Sequence, residues 1–318
     1  MDALSDVLKI AHLSGGVFLH AEFTAPWCLA ARIAPELCAP FLGPTAHLIP
    51  YHFLVEGELV VSLQGSEPCT ARGGEMILFP RNDLHLMGSD LSGTAVSMRD
   101  VLLPPEGSGL HSIRHGGGGA ATRMICGYLG CEVTRGNPVF AGLPGIMQIR
   151  VEEVGPAEWI RSTFQYAASE IASGHAGSET VLAKLSELLF VEAVRRYARD
   201  LPPEATGWFA GLRDPVVARA LALLHADIAR NWSVDDLGRE TGLSRSALAD
   251  RFTRIMGMPP MHYLGDWRMH VAAQSLKSST VPLAKLAGRV GYESEAAFSR
   301  AFRKAFGTAP ATWRRTNR

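Results

Sequence analysis

The spacing of apolar positions changes character along the chain. Short β-rich runs at Tyr51 to Val55, Leu59 to Leu63 and Met76 to Phe79 alternate with Glu56-Gly57-Glu58, Gly65-Ser66 and Gly73-Gly74, the rhythm of an antiparallel barrel. Met124 to Cys131 reads as a later strand of the same barrel. Between these runs, Arg114-His115-Gly116-Gly117-Gly118-Gly119-Ala120 reads as a loop; without a following Lys-Ser/Thr the glycines do not make a phosphate loop. The period then lengthens. Pro156 to Ser173 and Ser178 to Arg199 read as helices parted by Gly174-His175-Ala176-Gly177. The second of these carries Val181, Leu182, Leu185, Leu188 and Leu189, an apolar face wide enough to pack on the barrel or on a second subunit. Leu201-Pro202-Pro203-Glu204 through Gly211 has the composition of an interdomain linker.

Beyond the linker the helical pattern occurs twice. Trp232 to Phe252 predicts helix, turn, helix: Ser233 is placed to cap, Asp235 and Asp236 sit where the macrodipole favours acids, and Gly242 supplies the left-handed end. Ser244 caps a second helix. Its Leu248, Phe252 and Ile255 recur at helical spacing and turn Arg245, Ser246, Ala249 and Asp250 toward solvent. Val281 to Phe302 repeats the scheme, with Gly291 in the turn and Phe298, Phe302 and Phe306 as the buried stripe. Glu295, Ala296, Ser299, Arg300 and Arg303 then lie on the outer side. Arg245 and Glu295 are 50 positions apart. Pro260 to Leu276 predicts a connecting helix of about 25 Å, near the ~34 Å between successive major-groove segments. Outward side chains on the second helix of such a pair are the ones that reach base edges.

Charge sharpens the picture. Residues 213–318 hold 17 Lys and Arg against 9 Asp and Glu, a balance of +8; with 31 of each over the chain, the first 212 residues carry −8. A basic module hidden in a neutral chain is the footprint of a phosphate binder. No apolar run approaches the ~20 residues of a membrane span. Met1-Asp2-Ala3-Leu4-Ser5-Asp6 lacks the basic and apolar regions of an export signal, so a cytoplasmic location is expected. Cys28, Cys38, Cys69, Cys126 and Cys131 show no CxxC pair, and a reducing compartment would keep them as thiols. Cys126 and Cys131, five positions apart, face opposite sides of an unbroken strand and pair only across a bulge at Gly127 or Gly130. A redox switch through another partner, Cys28 or Cys38, stands beside the reading of these cysteines as small buried hydrophobes.

These motifs resemble the AraC/XylS family of bacterial transcription regulators, over Asp214 to Arg315. Gly307-Thr308-Ala309-Pro310-Ala311-Thr312-Trp313-Arg314-Arg315 is similar to the family's G-x-x-P-x-x-[YW]-R ending, and Met258 to Leu264 is similar to the start of its inter-motif helix. The resemblance implies promoter binding through the outward residues named above. One departure is Asp250, where members often carry Arg: a carboxylate accepts from cytosine N4 and repels phosphate, so the first helix would lean on Arg245 and Arg251.

Tyr51 to Leu59 followed by Gly73 to His85 resembles the two cupin motifs, and AraC-like regulators with such a sensory barrel include a branch that senses reactive chlorine. Aligned on the Gly57 turn, Thr45 and His47 take the places of the cupin His-x-His, His52 stands where Glu is usual, and His85 is the last histidine. The resemblance implies a site in which His47, His52 and His85 hold Zn²⁺, Ni²⁺ or Cu²⁺ with an open fourth position. The alternative is that His52 and His85 are pocket or core histidines, with His47 on a loop.

The expectation is thus an α+β chain: a cupin-like sensor barrel over 1–150, a helical dimerisation or packing segment over 151–200, a linker over 201–213 and an all-α double helix-turn-helix domain over 214–315. Its function would be that of a regulator, not an enzyme. The partners would be double-stranded promoter DNA, a second copy of the chain, RNA polymerase if it activates, and an effector that is a small molecule, a metal or an oxidant. The alternative from another class is a cupin enzyme with a DNA-binding tail.

Overall fold

Strands and helices alternate with the sequence pattern in a computed structural model that describes residues 3–11, 13–33, 47–103, 111–131, 137–150, 162, 166 and 178–317. In chain order the first part runs α1 (Ala3–Ala11), β1 (Ser14–Thr24), β2 (Cys28–Ala31), β3 (His47–Glu56), β4 (Glu58–Leu63), β5 (Cys69–Arg72), β6 (Glu75–Leu78), β7 (His85–Gly88), β8 (Val96–Ser97), α2 (Met98–Val101), β9 (Leu102–Leu103), β10 (Ser112–Gly116), β11 (Ala121–Cys131), α3 (Pro138–Gly142), β12 (Met147–Arg150) and α4 (Ser178–Asp200). The second part is helical: α5 (Trp208–Arg213), α6 (Pro215–Ala226), α7 (Val234–Thr241), α8 (Arg245–Met256), α9 (Pro260–Ser278), α10 (Leu283–Arg289), α11 (Glu295–Phe306) and α12 (Pro310–Thr316). The chain forms two compact units, one of Leu13–Glu132 with Leu143–Tyr197, the other of Met1–His12, Val133–Gly142 and Ala198–Arg318.

In the sheet unit, a seven-stranded sheet ordered β12-β6-β3-β11-β1-β10-β9 faces a five-stranded sheet ordered β5-β4-β7-β2-β8. Phe23, Leu54, Ile77, Ile113 and Met124 of the first sheet and Leu29, Leu59, Val61, Ala71 and Met87 of the second share one core. β3 is buried from Leu48 to Leu54 on both faces, because the barrel core covers one side and α4 the other. On the α4 side the Tyr51 hydroxyl lies 3.1 Å from Ser186 Oγ, and Arg196 donates to the Arg150 carbonyl at 3.2 Å. Leu189, Phe190, Ala193 and Val194 of α4 are buried while Leu188 is 52% exposed.

Three expectations change. Arg114 and His115 are not loop: they pair with Glu22 and Phe23 in the parallel β1/β10 ladder, which leaves Gly117 to Ala120 as the turn. The second half of the expected linker is helix α5, because Trp208 and Phe209 are buried. Finally, α1 and α3 pack with the helical unit, where Ala3, Val7, Val139 and Phe140 are buried. The expected helix from Pro156 to Ser173 lies outside the described residues apart from 162 and 166.

In the helical unit the two helix-turn-helix copies share one cap scheme. Ser233 and Asp236 form a reciprocal capping box at α7, and Ser244 and Ser294 cap α8 and α11. The turns match with an offset of 49: Leu243 N–H donates to the Gly238 carbonyl and Tyr292 N–H to that of Ala287, both at 2.9 Å, with Gly242 and Gly291 at φ 75° and 79°. The reading helices match with an offset of 50, since Leu248 and Phe252 correspond to Phe298 and Phe302. One extra residue therefore sits between turn and cap in the second copy. In the shorter first turn a Cβ on Gly238 would stand 2.7 Å from the Leu243 carbonyl oxygen, which enforces glycine there; the matching position in the longer turn is Ala287.

α9 runs two residues further than expected, 19 residues or about 28 Å. Tyr263 and Trp267 join the first core, while Met269, Ala272, Ala273 and Leu276 join a second core with Phe298, Phe302 and Trp313. Trp208 donates to the Tyr263 hydroxyl at 2.9 Å, and His225 Nε2 lies 2.7 Å from the same oxygen. Arg268, midway along α9, donates to the carbonyls of Ile228 at 2.9 Å and Arg230 at 2.8 Å and lies over the Tyr292 ring.

Arg268→Ala is expected to lower the free energy of local opening by about 1.5–3 kcal/mol, the worth of hydrogen bonds from a charged donor. Hydrogen exchange across residues 227–232 and α10 measures this. Arg268→Lys should recover less than half, because an ammonium lacks the fork that spans both carbonyls; full recovery by lysine would show that only charge matters.

Candidate nucleic-acid interface and barrel cavity

The outer faces of α8 and α11 emerge from how their inner faces are anchored. In α8 the buried stripe is Leu248, Phe252 and Met256; Met256 rather than Ile255 completes the i, i+4, i+8 series. In α11 it is Phe298 and Phe302, with Phe306 half-buried. Arg245, Ser246 and Asp250 are exposed on α8 and Ala249 is half-buried; Glu295, Ala296, Arg300 and Arg303 are exposed on α11 and Ser299 is half-buried. Arg245 makes a 3.4 Å pair with Asp235 that is open to water, an interaction weak enough to exchange for a phosphate or a base.

Arg251 is a correction. Its guanidinium grips the Asp214 carboxylate through Nε at 3.0 Å and Nη2 at 2.7 Å, and the same carboxylate caps α6 by accepting from Val216 and Val217 N–H. These bonds hold the Asp214 carboxyl below the usual range against the opposing effect of burial. Arg251 thus ties α8 to α6, and its guanidinium is engaged by Asp214 instead of being presented outward as expected. Exposed cations omitted from the reading set are Arg254 and Lys304. The i, i+4 relation to Asp250 and Arg300 was the signal that places them on the same faces.

In the barrel, the three histidines do not assemble. His47 Nε2 donates to the Pro80 carbonyl at 2.5 Å, which occupies that nitrogen, and the residue lines a more open pocket of about 650 Å³ with Arg81 and Asn82. His52 and His85 do meet, with ring centroids 5.9 Å apart, and His85 stacks on Phe79 at 3.6 Å. His85 Nδ1 donates to the Asp83 carbonyl at 3.0 Å. Both ring nitrogens of His52 and Nε2 of His85 are buried without a hydrogen-bond partner. Among the described residues no group of three or more His, Cys, Asp or Glu side chains is placed to hold a metal ion, so the expected three-imidazole set is not formed. Thr45 lies outside the described residues.

Burial dominates the titration of the pair. Desolvation lowers His52 to about 3, with the neighbouring His85 adding to the effect. Desolvation lowers His85 to about 4 against the opposing bond to Asp83. Both imidazoles are neutral at pH 7.

His52 lines a cavity of about 150 Å³ with Phe23, Met87, Met98, Ile113 and Cys126. Cys28, Cys126 and Cys131 are buried and Cys69 is half-buried. Burial pushes the Cys126 and Cys131 thiols upward, and does the same to Cys28. β11 keeps unbroken register from Cys126 opposite His52 to Cys131 opposite His47, so the two sulfurs stay on opposite faces and no bulge brings them together. Cys28, Cys69, Cys126 and Cys131 are all free thiols. The expected redox set of Cys126, Cys131 and Cys28 therefore lacks the exposed thiolate that oxidation requires; Cys38 lies outside the described residues.

A cupin-like sheet unit with a buried cavity, followed by a helical unit with two helix-turn-helix motifs, defines a class of DNA-binding regulator. Comparison with known proteins agrees: the family described as Cupin matches residues 2–199, and that described as Helix-turn-helix domain matches residues 237–316. The chain belongs to the AraC-type transcription regulators that carry an N-terminal cupin domain. It is similar to the HTH-type transcriptional regulator AlkR of Acinetobacter baylyi, 27% identical over 317 residues and covering 99% of both chains. A putative AraC-like transcription regulator of Streptomyces lividans is 29% identical over 316 residues, covering 99% of this chain and 98% of its own. The RCS-specific HTH-type transcriptional activator RclR of Escherichia coli is 23% identical over 316 residues, covering 99% and 97%. Among the described residues no helix is long and apolar enough to cross a membrane.

The histidine pair fixes a pH dependence. The unfolded chain takes up protons on these residues below about pH 6.5, while the folded pair resists until about pH 4 and about pH 3. Stability should therefore fall as pH drops from about 6.5 toward 4, by up to about 1.4 kcal/mol per pH unit for each histidine. Urea midpoints of the sheet unit between pH 7 and 4.5 measure the slope. The His52→Gln/His85→Gln double variant should flatten it, and an unchanged slope would place the titrating groups elsewhere.

Proposed function

We propose that this AraC-type regulator senses a small organic molecule inside its cupin barrel and transmits occupancy to promoter binding by its two reading helices. The supporting observation is the cavity at His52, a buried imidazole whose nitrogens find no hydrogen-bond partner among the described residues. Buried polar groups are otherwise paired, and an exception marks a site where something else does the pairing. A metal effector is disfavoured by the diversion of His47 to Pro80, and an oxidant by the desolvated thiols. Relatives that align end to end are named as regulators, which supports reading the barrel as a sensor rather than an enzyme.

Chain continuity supplies a route for the signal. β1 and β11 contribute Phe23 and Cys126 to the cavity wall; β1 follows α1, and β11 precedes α3, and both helices pack within the helical unit. Transmission requires the effector to bind one arrangement of these elements better than the other. A homodimer would set two pairs of reading helices on repeated half-sites, and Leu188, exposed on α4, is an apolar contact available to a second copy. If the outcome is activation, RNA polymerase is the further partner.

Arg300→Ala is expected to weaken binding to a specific promoter site by about 1–3 kcal/mol and relax preference at one base position. Arg251→Ala should destabilise the helical unit and leave base preference intact. Gel-shift titrations against a promoter fragment and a randomised duplex separate the two. Equal loss on both duplexes in Arg300→Ala would remove its base-reading role, and a changed base preference in Arg251→Ala would return it to the reading surface.

A further inference from the structure

The cavity described above constrains what can fill it. Among the described residues, none of the side chains lining it is Lys, Arg, Asp or Glu. Leu19, Phe23, Met87, Leu102 and Ile113 are apolar parts of the wall; the polar side chains on it include the buried His52 and Tyr128 and the half-buried His111, and among the described residues it is His52 whose ring nitrogens lack a hydrogen-bond partner. Its volume, about 150 Å³, equals that of dry apolar cavities that hold one benzene ring. Methionine side chains at positions 87 and 98 let the wall adjust around such a ring.

Charge is excluded by the same lining. A carboxylate or ammonium placed here would lose its hydration without gaining a counter-charge from the described lining, so its binding is strongly opposed. The His52 imidazole does not supply one, because desolvation keeps it neutral at pH 7, and the half-buried His111 on the same wall spends Nδ1 on the Leu103 carbonyl at 3.1 Å. A neutral imidazole presents one N–H donor and one lone pair, so it pairs equally well with a hydroxyl or a carbonyl. His52 sits in the strand register opposite Cys126 and Ile77, both fixed in the sheet, so this polar point is held rigidly against an otherwise apolar volume.

Resting on the sensor reading, we propose that the barrel takes an uncharged, predominantly apolar molecule about the size of a single six-membered ring, carrying one hydroxyl or carbonyl that hydrogen-bonds to His52. A phenol-like or cyclic-alcohol effector satisfies these demands. Benzoate and free metal ions do not.

The test uses the full chain with phenol, benzene and benzoate as probes, binding followed by calorimetry and thermal shift at pH 7, with promoter-DNA affinity measured in parallel. Phenol is expected to bind and raise Tm, benzene to bind roughly 3- to 10-fold more weakly for want of one hydrogen bond, and benzoate not to bind. His52→Leu should abolish the preference for phenol over benzene while retaining benzene. Met98→Trp, which fills the half-buried wall without touching His52, should block both and serves if His52→Leu fails to fold. Benzoate binding as tightly as phenol, equal affinity for phenol and benzene in the unaltered protein, or no binding of phenol would each overturn the assignment. Phenol binding that shows the His52 preference but leaves DNA affinity unchanged upholds the ligand class and removes the sensor reading. A change in DNA affinity with a metal ion or hypochlorite but not with phenol also removes the organic-effector reading, and the ligand class then stands or falls on the binding of phenol, benzene and benzoate alone.

Discussion

Two reading helices are useful to a DNA-binding protein only if their separation and phase are fixed before DNA arrives, and in this chain that constraint falls on α9. Its first half belongs to one hydrophobic core through Tyr263 and Trp267, and its second half to another through Met269, Ala272, Ala273 and Leu276. Two cores strung on one helix would still bend relative to each other. Arg268, at their junction, removes much of that freedom by reaching back to the carbonyls of Ile228 and Arg230 on one side while lying against Tyr292 and Gly291 on the other. A Cβ on Gly291 would come within 2.7 Å of the guanidinium carbon, so the glycine serves both the left-handed turn and the seat for this arginine. The one-residue insertion in the second turn is part of the same geometry, since it alters where α11 begins relative to its own first helix.

The sheet unit is organised around the opposite problem. Cores normally avoid polar groups or satisfy them, and an unpaired buried group costs about 1–3 kcal/mol. His52 and His85 stand side by side in this core with three of their four ring nitrogens unpaired. Phe79 covers one ring by stacking, which offsets part of the cost through dispersion but does nothing for the nitrogens. Local rules are broken at functional sites more than elsewhere, and this is the place in the barrel where the break coincides with open volume.

The regular features of this fold were legible because they are local. Caps at Ser233, Ser244 and Ser294, turn glycines at 242 and 291, and the phenylalanine stripe of α11 follow from propensity and spacing within a dozen residues. What escaped reading depends on contacts distant in sequence. Arg251 looked like a surface residue because its partner, Asp214, lies 37 positions away. His47 looked like a ligand because cupin spacing aligns it with His52 and His85, whereas its nearest acceptor is the Pro80 carbonyl, a backbone group that no side-chain pattern reveals. Leu201 to Gly211 read as linker from its prolines and glycines, yet Trp208 and Phe209 inside it bury two aromatic rings, and that outweighs the local signal. The departure of α1 and α3 from the sheet unit is of the same kind: connectivity places them beside β1 and β11, but their apolar faces find partners among the helices.

These two halves of the structure place a quantitative demand on regulation. A ligand that enters a preformed cavity and leaves its walls unmoved has equal affinity for every arrangement of the DNA-binding helices, and equal affinity shifts no equilibrium however tight the binding. The response must then come from the part of the lining that differs between states. The central strands β3 and β11 keep unbroken register from Leu54 opposite Met124 to His47 opposite Cys131, and His52 lies within that stretch, so the polar point is the most firmly held part of the site. Met98 and Leu102, on the short α2 and β9 at the margin, are half-buried and free of that ladder network's centre. Discrimination between ligands would therefore rest on the rigid imidazole, and discrimination between states on the apolar margin that closes over whatever the imidazole has selected.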